Sequence, residues 1–217
     1  MKKVRGAGPT EGGADQDDES RLRRLAPTRA RAFGRAVSAE DLVDLALGYP
    51  GVSHAAVWSG GHPPGCACGR TGLHLAFVHE STGGPRAPLT GEIALLASFL
   101  DARRDATVPL CVAAGTVTRP HLTVALATDP RRIAADVAAA VVAALADEQG
   151  DLGPDQRALG QALDRSDIFA AIHSVTGVVG VSSLDLPGAA AELGRRAALR
   201  WELLAPSSTP DVTGVPA

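Results

Sequence analysis

The sequence predicts an α/β (α+β) chain of two small mixed units between flexible termini. Capped amphipathic helical stretches alternate with short apolar strands, Gly/Pro loops separate them, and one helix–turn–strand signature occurs twice. The chain has 217 residues, 45% of them hydrophobic but only 3% aromatic, so Ala, Val and Leu must fill a closely packed core.

Residues 1–34 read as a flexible arm, rich in Gly, Pro, Asp and Arg and without apolar periodicity. The first unit spans 35–117. Ser38 stands where an N-cap belongs, with Asp41 three positions on, a capping box with Asp in place of Glu. Leu42, Leu45, Ala46 and Tyr49 recur at helical spacing, and Pro50-Gly51 ends the helix. Val52 to Trp58 and Leu73 to His79 read as strands around a Gly/Pro loop. Thr90 caps a second helix with Ile93, Leu96, Ala97 and Leu100 as its stripe, and Val108 to Ala114 reads as a third strand. The order is helix–strand–strand–helix–strand.

The second unit, 118–187, reads strand–helix–helix–strand. Leu122, Val124 and Leu126 alternate with His121, Thr123 and Ala125 in a strand over 118–128. Asp129-Pro130 supplies a cap and a first helical residue for a helix to about Glu148. Asp164 opens a helix ending near Val175, and Val178 to Leu186 forms the closing strand. Residues 188–217 read as a C-terminal helix, Ala189 to Leu204, and a disordered Pro/Ser/Thr tail. Trp201 in that helix either folds back on the domain or anchors a neighbouring subunit.

Two segments align without gaps: SAEDLVDLALGYPGV (38–52) and DRSDIFAAIHSVTGV (164–178). Ser38 matches Asp164, Asp41 matches Asp167, Leu42 matches Ile168, Ala46 matches Ile172, and Gly51-Val52 matches Gly177-Val178. Glycine after a helix takes the left-handed conformation without a Cβ clash, so capping physics alone can generate this echo. The match is architectural and places no reactive group at a shared position.

Net charge is −3, unevenly spread: residues 1–35 carry +4 and the rest carries −7. That is no nucleic-acid footprint, which needs a basic face on the folded part. The start lacks a signal-peptide core and no apolar run is long enough to cross a membrane, so a reducing cytoplasmic setting is the default.

Phosphate-loop, dinucleotide, nucleophile-elbow and H-E-x-x-H motifs are missing, so no catalytic or cofactor-binding residue is assigned and the chain reads as a non-enzyme. Asp and Glu at helix starts (Asp41, Glu92, Asp129, Asp167) answer the helix dipole. His62, Cys66, Cys68 and His74 carry zinc-type donors, but C-x-C is tighter than a zinc knuckle and no second pair follows; a plain loop is expected there, and no metal. Three cysteines, an odd count, argue against a disulfide framework, and Cys111 reads as a small buried hydrophobe. His173 belongs at the edge of the core.

The run GRAVSAEDLVDLALGYPGVSHAAVW (34–58), preceded by GGADQDDESRLRRLAPTRARAF (12–33), resembles the middle of baseplate J-like proteins. These are wedge components of contractile phage tails and related contractile injection systems. The matching features are Gly12 to Asp15, Arg35-Ala36-Val37-Ser38 and Pro50-Gly51-Val52, and RSDIFAAIHSVTGVVGVSSLDL (165–186) resembles the family's closing segment. The likeness covers about residues 12–187; the loop Gly60 to Thr71 has no counterpart in it. Family members carry a larger domain ahead of the Gly-Gly-Ala-Asp stretch, which implies a fragment, a truncated product or a reduced paralogue. The resemblance implies a structural subunit inside a particle, whose partners are wedge, hub and sheath-proximal proteins and copies of itself. The alternative is a small-molecule- or metal-binding regulatory domain.

Overall fold

A computed structural model describes residues 34–61, 72–190 and 194–217. The expected arm before residue 34 lies outside them.

The first helix, α1 (Ala39–Leu47), begins as its sequence dictates. Ser38 Oγ accepts the Asp41 N–H at 3.1 Å, and Asp41 Oδ2 accepts the N–H groups of Ser38 at 2.8 Å and Val37 at 3.0 Å. Those donors hold the Asp41 carboxyl below its usual range, the Ser38 N–H being the largest cause. Ser38→Ala is expected to cost about 1 kcal/mol, read as a lowered denaturant midpoint. An unchanged midpoint would show that Asp41 caps the helix alone.

The chain then forms β1 (Val52–Ser59), β2 (Leu73–His79), α2 (Thr90–Asp101) and β3 (Leu110–Ala114), in the order expected. β2 is the central strand, with β1 antiparallel and β3 parallel to it. The parallel step needs a crossover, and α2 supplies it. Leu42, Ala46, Leu75, Phe77, Leu96 and Leu100 form the buried core between sheet and helices. Two boundaries differ from expectation. Thr90 is the first residue of α2, and its cap is Leu89, whose N–H is taken by the Glu92 carboxylate at 2.7 Å. β3 starts after Pro109, whose carbonyl accepts from Leu73.

The expected strand over 118–128 is two strands, β4 (Thr116–Thr118) and β5 (Thr123–Thr128). Pro120 lies between them and has no N–H for a ladder. Leu122, Val124 and Leu126 are buried as the alternation requires. α3 (Ala134–Ala146) starts later than expected. Asp129 does not cap it: Asp129 Oδ1 accepts the Arg131 N–H at 2.9 Å, making a local turn with the same chemistry a cap would use. A 3₁₀ turn (Pro154–Gln156), β6 (Leu163–Asp164), α4 (Arg165–His173) and β7 (Val178–Asp185) follow. Asp164 is the N-cap residue of α4 but makes no side-chain cap bond.

The helix expected over 189–204 is replaced, among the described residues, by β8 (Arg195–Arg196) and β9 (Glu202–Leu204). β9 runs parallel to β4, so Leu203 and Leu204 are buried by strand pairing that helix propensity cannot reveal. The tail read as disordered carries β10 (Asp211–Pro216), parallel to β5.

The second sheet, ordered β10-β5-β7, repeats the plan of the first. A central strand has a parallel neighbour on one side. On the other side it has an antiparallel neighbour, β1 or β7, that directly follows an echoed helix. Both echoed turns use glycine at positive φ, Gly51 at 81° and Gly177 at 107°. The echoed residues Leu42 and Ile168, and Ala46 and Ile172, are buried at equivalent places.

The two halves meet at a layered joint. Trp201 stacks on Trp58 with ring centroids 6.0 Å apart, and Trp58 stacks on His74 at 5.9 Å. Buried His54 on β1 donates from Nε2 to the Pro154 carbonyl at 2.8 Å. The β4–β9 ladder starts directly after β3, with Thr116 N–H bonded to Trp201 O.

Candidate assembly surface

Among the described residues the structure gathers exposed apolar side chains beside charged rims. At the start of α1 a shallow cleft has Leu42, Leu73, Leu110 and Val108 as its apolar lining. Arg104 and Asp105 form the rim: Arg104 bonds Asp101 at 2.6 Å, and the Thr107 N–H holds the Asp105 carboxyl below its usual range. Val37 sits at the mouth, 94% exposed. An apolar residue just before an N-cap usually packs back on the fourth helical residue, here Leu42. Val37 does not, so its area is left for another surface.

A second hollow lies between the end of α1 and α2, floored by Tyr49, Val52, Phe77 and Leu95. Tyr49 and Phe99 pack at 4.9 Å, with the Arg103 guanidinium 3.8 Å above the Phe99 ring. Its rim is a charged cluster. Arg86 grips Glu92 in two bonds, 2.9 and 2.6 Å, and His79 Nε2 lies 3.3 Å from the same carboxylate. Arg86 and the Leu89 N–H hold the Glu92 carboxyl down to about 2 from an ordinary 4.5, Arg86 contributing most. Because the folded value is depressed, this contribution is complete above about pH 4.5 and is lost as the pH falls toward 2. The pair is partly solvated, so Glu92→Gln is expected to cost only about 1 kcal/mol at pH 7. The variant should converge on the parent in acid; a constant difference from pH 7 to pH 3 would refute the assignment.

The third hollow joins Ile133, Val137 and Ala140 with Arg132, Asp136 and Thr176. Ile133 is 69% exposed at the start of α3. An apolar centre ringed by charge is the layout of a protein–protein contact, and it offers area rather than a nucleophile.

Of the zinc-type cluster, His62, Cys66 and Cys68 lie outside the described residues. His74 is buried in β2 beneath Trp58. Among the described residues no group of three or more His, Cys, Asp or Glu is placed to hold a metal ion. Cys111 pairs with His74 in the β2–β3 register and is disulfide-bonded, which corrects its reading as a plain buried hydrophobe. His173 is exposed on α4, not at the core edge. Trp201 folds back on the chain. No sequence signal marked the surface residues, except that Val37 stands in a position where an apolar side chain needs a partner.

No family model and no curated protein matches the chain. Its fold does match a solved structure. The chain is similar to a chain of the anti-feeding prophage baseplate, determined by cryo-electron microscopy with sixfold symmetrisation. The match has a TM-score of 0.54 at 15% sequence identity and covers 90% of this chain and 43% of that one. The chain thus spans less than half the length of that baseplate chain. At this identity the likeness shows a shared α+β fold, and the finer resemblance to baseplate J-like proteins stands on the sequence motifs alone.

Proposed function

We propose that the chain is a structural baseplate component of a contractile phage tail or related contractile injection system, in the wedge role of baseplate J-like proteins. The observation that carries this reading is the fold shared with a baseplate chain over 90% of the sequence. The motif order over residues 12–187 supports it independently. The chain acts through its surfaces, with the charged-rimmed hollows and strand edges docking other wedge, hub and sheath-proximal proteins and copies of itself. The particle assembles in the cytoplasm. No substrate or cofactor enters this role. The units over 35–117 and 118–187 act in it as one docking module.

Pull-down of the tagged full chain from its native host tests the reading. Sheath, tube and wedge proteins should co-purify with it. A chain that elutes alone as a monomer would remove the proposal. Val37→Asp, which puts a charge on the apolar mouth, should reduce that recovery without lowering the denaturant midpoint.

A further inference from the structure

We infer that the outer edge of β5 is a strand-receiving site, filled within one chain by residues 211–216 and open to the same residues of a second copy by strand exchange. The first ground is connectivity. Parallel neighbours need a crossover between them, and in the first sheet α2 provides it directly. In the second sheet the chain leaves α3 for α4 and β7 instead, and the parallel strand β10 arrives only after β8 and β9. No crossover helix ties β10 to β5; it arrives from β9, which lies parallel to β4, and it joins the sheet through its own backbone ladder.

The second ground is how β10 is held. Its pairing with β5 is a continuous backbone ladder, from Asp211↔Thr123 to Pro216↔Thr128. Its side chains add little: Val212 packs against the core, while Val215 is 63% exposed. A ladder with so little apolar burial opens at low cost relative to the rest of the fold. The connection is bonded on both sides of its exposed stretch: Ser207 N–H to Pro120 O at 3.0 Å and Asp211 N–H to Leu122 O at 2.9 Å, with Pro210 buried. Between them only Ser208 and Thr209 are exposed, with the Thr209 N–H on Ser207 Oγ at 3.3 Å, so strand exchange would have to turn the chain at these two residues.

The third ground selects the occupant. The slot between β5 and α3 fits this strand's own sequence. A Cβ on Gly214 would lie 2.9 Å from the Ala134 carbonyl oxygen and 3.2 Å from Thr128 Cγ2, so a residue without a side chain has to stand there. At one end Asp211 pairs with His121 at 2.9 Å, and at the other Thr128 Oγ1 donates to Val215 O at 3.2 Å. A second copy brings all of these matches at once; an arbitrary strand does not. The inference does not rest on the baseplate reading, since the chain would exchange strands outside any particle.

The test uses two full-length variants, Thr213→Cys and Ala125→Cys, which occupy paired positions in the β10–β5 register. Parallel neighbours lie roughly 5 Å apart at Cα, within disulfide range. The variants are mixed, incubated at high concentration and oxidised, and the linked peptides are identified by mass spectrometry. A link between copies should form about tenfold faster than with Thr213→Cys and a control cysteine at exposed Ser98. Adding Gly214→Val to the Thr213→Cys chain should abolish it. A rate equal to the control overturns the inference, provided the double variant on one chain still closes internally. A labelled peptide of residues 209–217, added to the unmodified full chain, gives an independent reading. Saturable binding by that peptide, and none by its Gly214→Val form, supports the site; binding by both or by neither overturns it.

Discussion

Gly153→Ala is expected to lower the unfolding free energy by about 3 kcal/mol, the upper range for a forced overpacking. Gly153 has φ −64° and ψ 151°, a conformation open to any residue, so backbone preference is not the reason. The reason is space. A Cβ there would lie 2.0 Å from the Glu148 carbonyl oxygen, 2.4 Å from its carbon and 2.8 Å from Asp147 O. These are backbone atoms just past the end of α3, and they cannot rotate aside as a side chain would. The loop has to move, and Pro154 moves with it. The Pro154 carbonyl takes the buried His54 Nε2–H, so the change spreads to the joint between the halves. Denaturant unfolding should show a lowered midpoint with an unchanged slope, and the His54 ring resonances should shift. A loss below about 1 kcal/mol would mean that the loop yields freely and that the joint does not depend on it.

Arg157→Met is expected to cost a similar amount, about 3 kcal/mol. Arg157 is 4% exposed, an unusual place for a cation. Its guanidinium donates to three backbone carbonyls: Leu204 at 2.5 Å, Ala162 at 2.6 Å and Gln161 at 3.3 Å. Burial pushes its pKa down, and the charges of Asp167 and Asp164 pull it partly back. Methionine fills the same volume but leaves those carbonyls without their donor in a dry site. Arg157→Lys should recover little, because an ammonium cannot span carbonyls arranged for a planar fork. Equilibrium unfolding of both variants decides the matter. A neutral or stabilising Arg157→Met would show that desolvation of the guanidinium cancels its bonds, as it does for many buried charges.

How much of this was legible from residues alone differs between the halves, for physical reasons. In the first half each local signal agrees with its neighbours. Ser38 and Asp41 cap, Leu42 and Ala46 point inward, Gly51 turns, and a strand follows in the expected place. In the second half the signals compete. Asp129-Pro130 suits a cap and a turn equally, and only the late start of α3 settles which. The stretch over 189–204 has strong helical propensity, yet Glu202 to Leu204 pair with β4 because the strand buries Leu203 and Leu204 completely. Residues 211–216 contain too little apolar surface to announce a strand; their order comes from a ladder on β5. The surface was the least legible part. Whether Val37 folds back on Leu42 or faces outward depends on the path of the chain, which spacing does not encode.

The joint between the halves has a mechanical consequence. Turning one sheet against the other would have to unstack Trp58 from Trp201, pull His54 off the Pro154 carbonyl and unzip β4 from β9 at the same time. Because all three have to give way together, bending at this joint costs more than breaking any one of them. Load on one sheet is thereby shared with the other through three separate contacts instead of one, so loosening any single contact leaves the two still clamped.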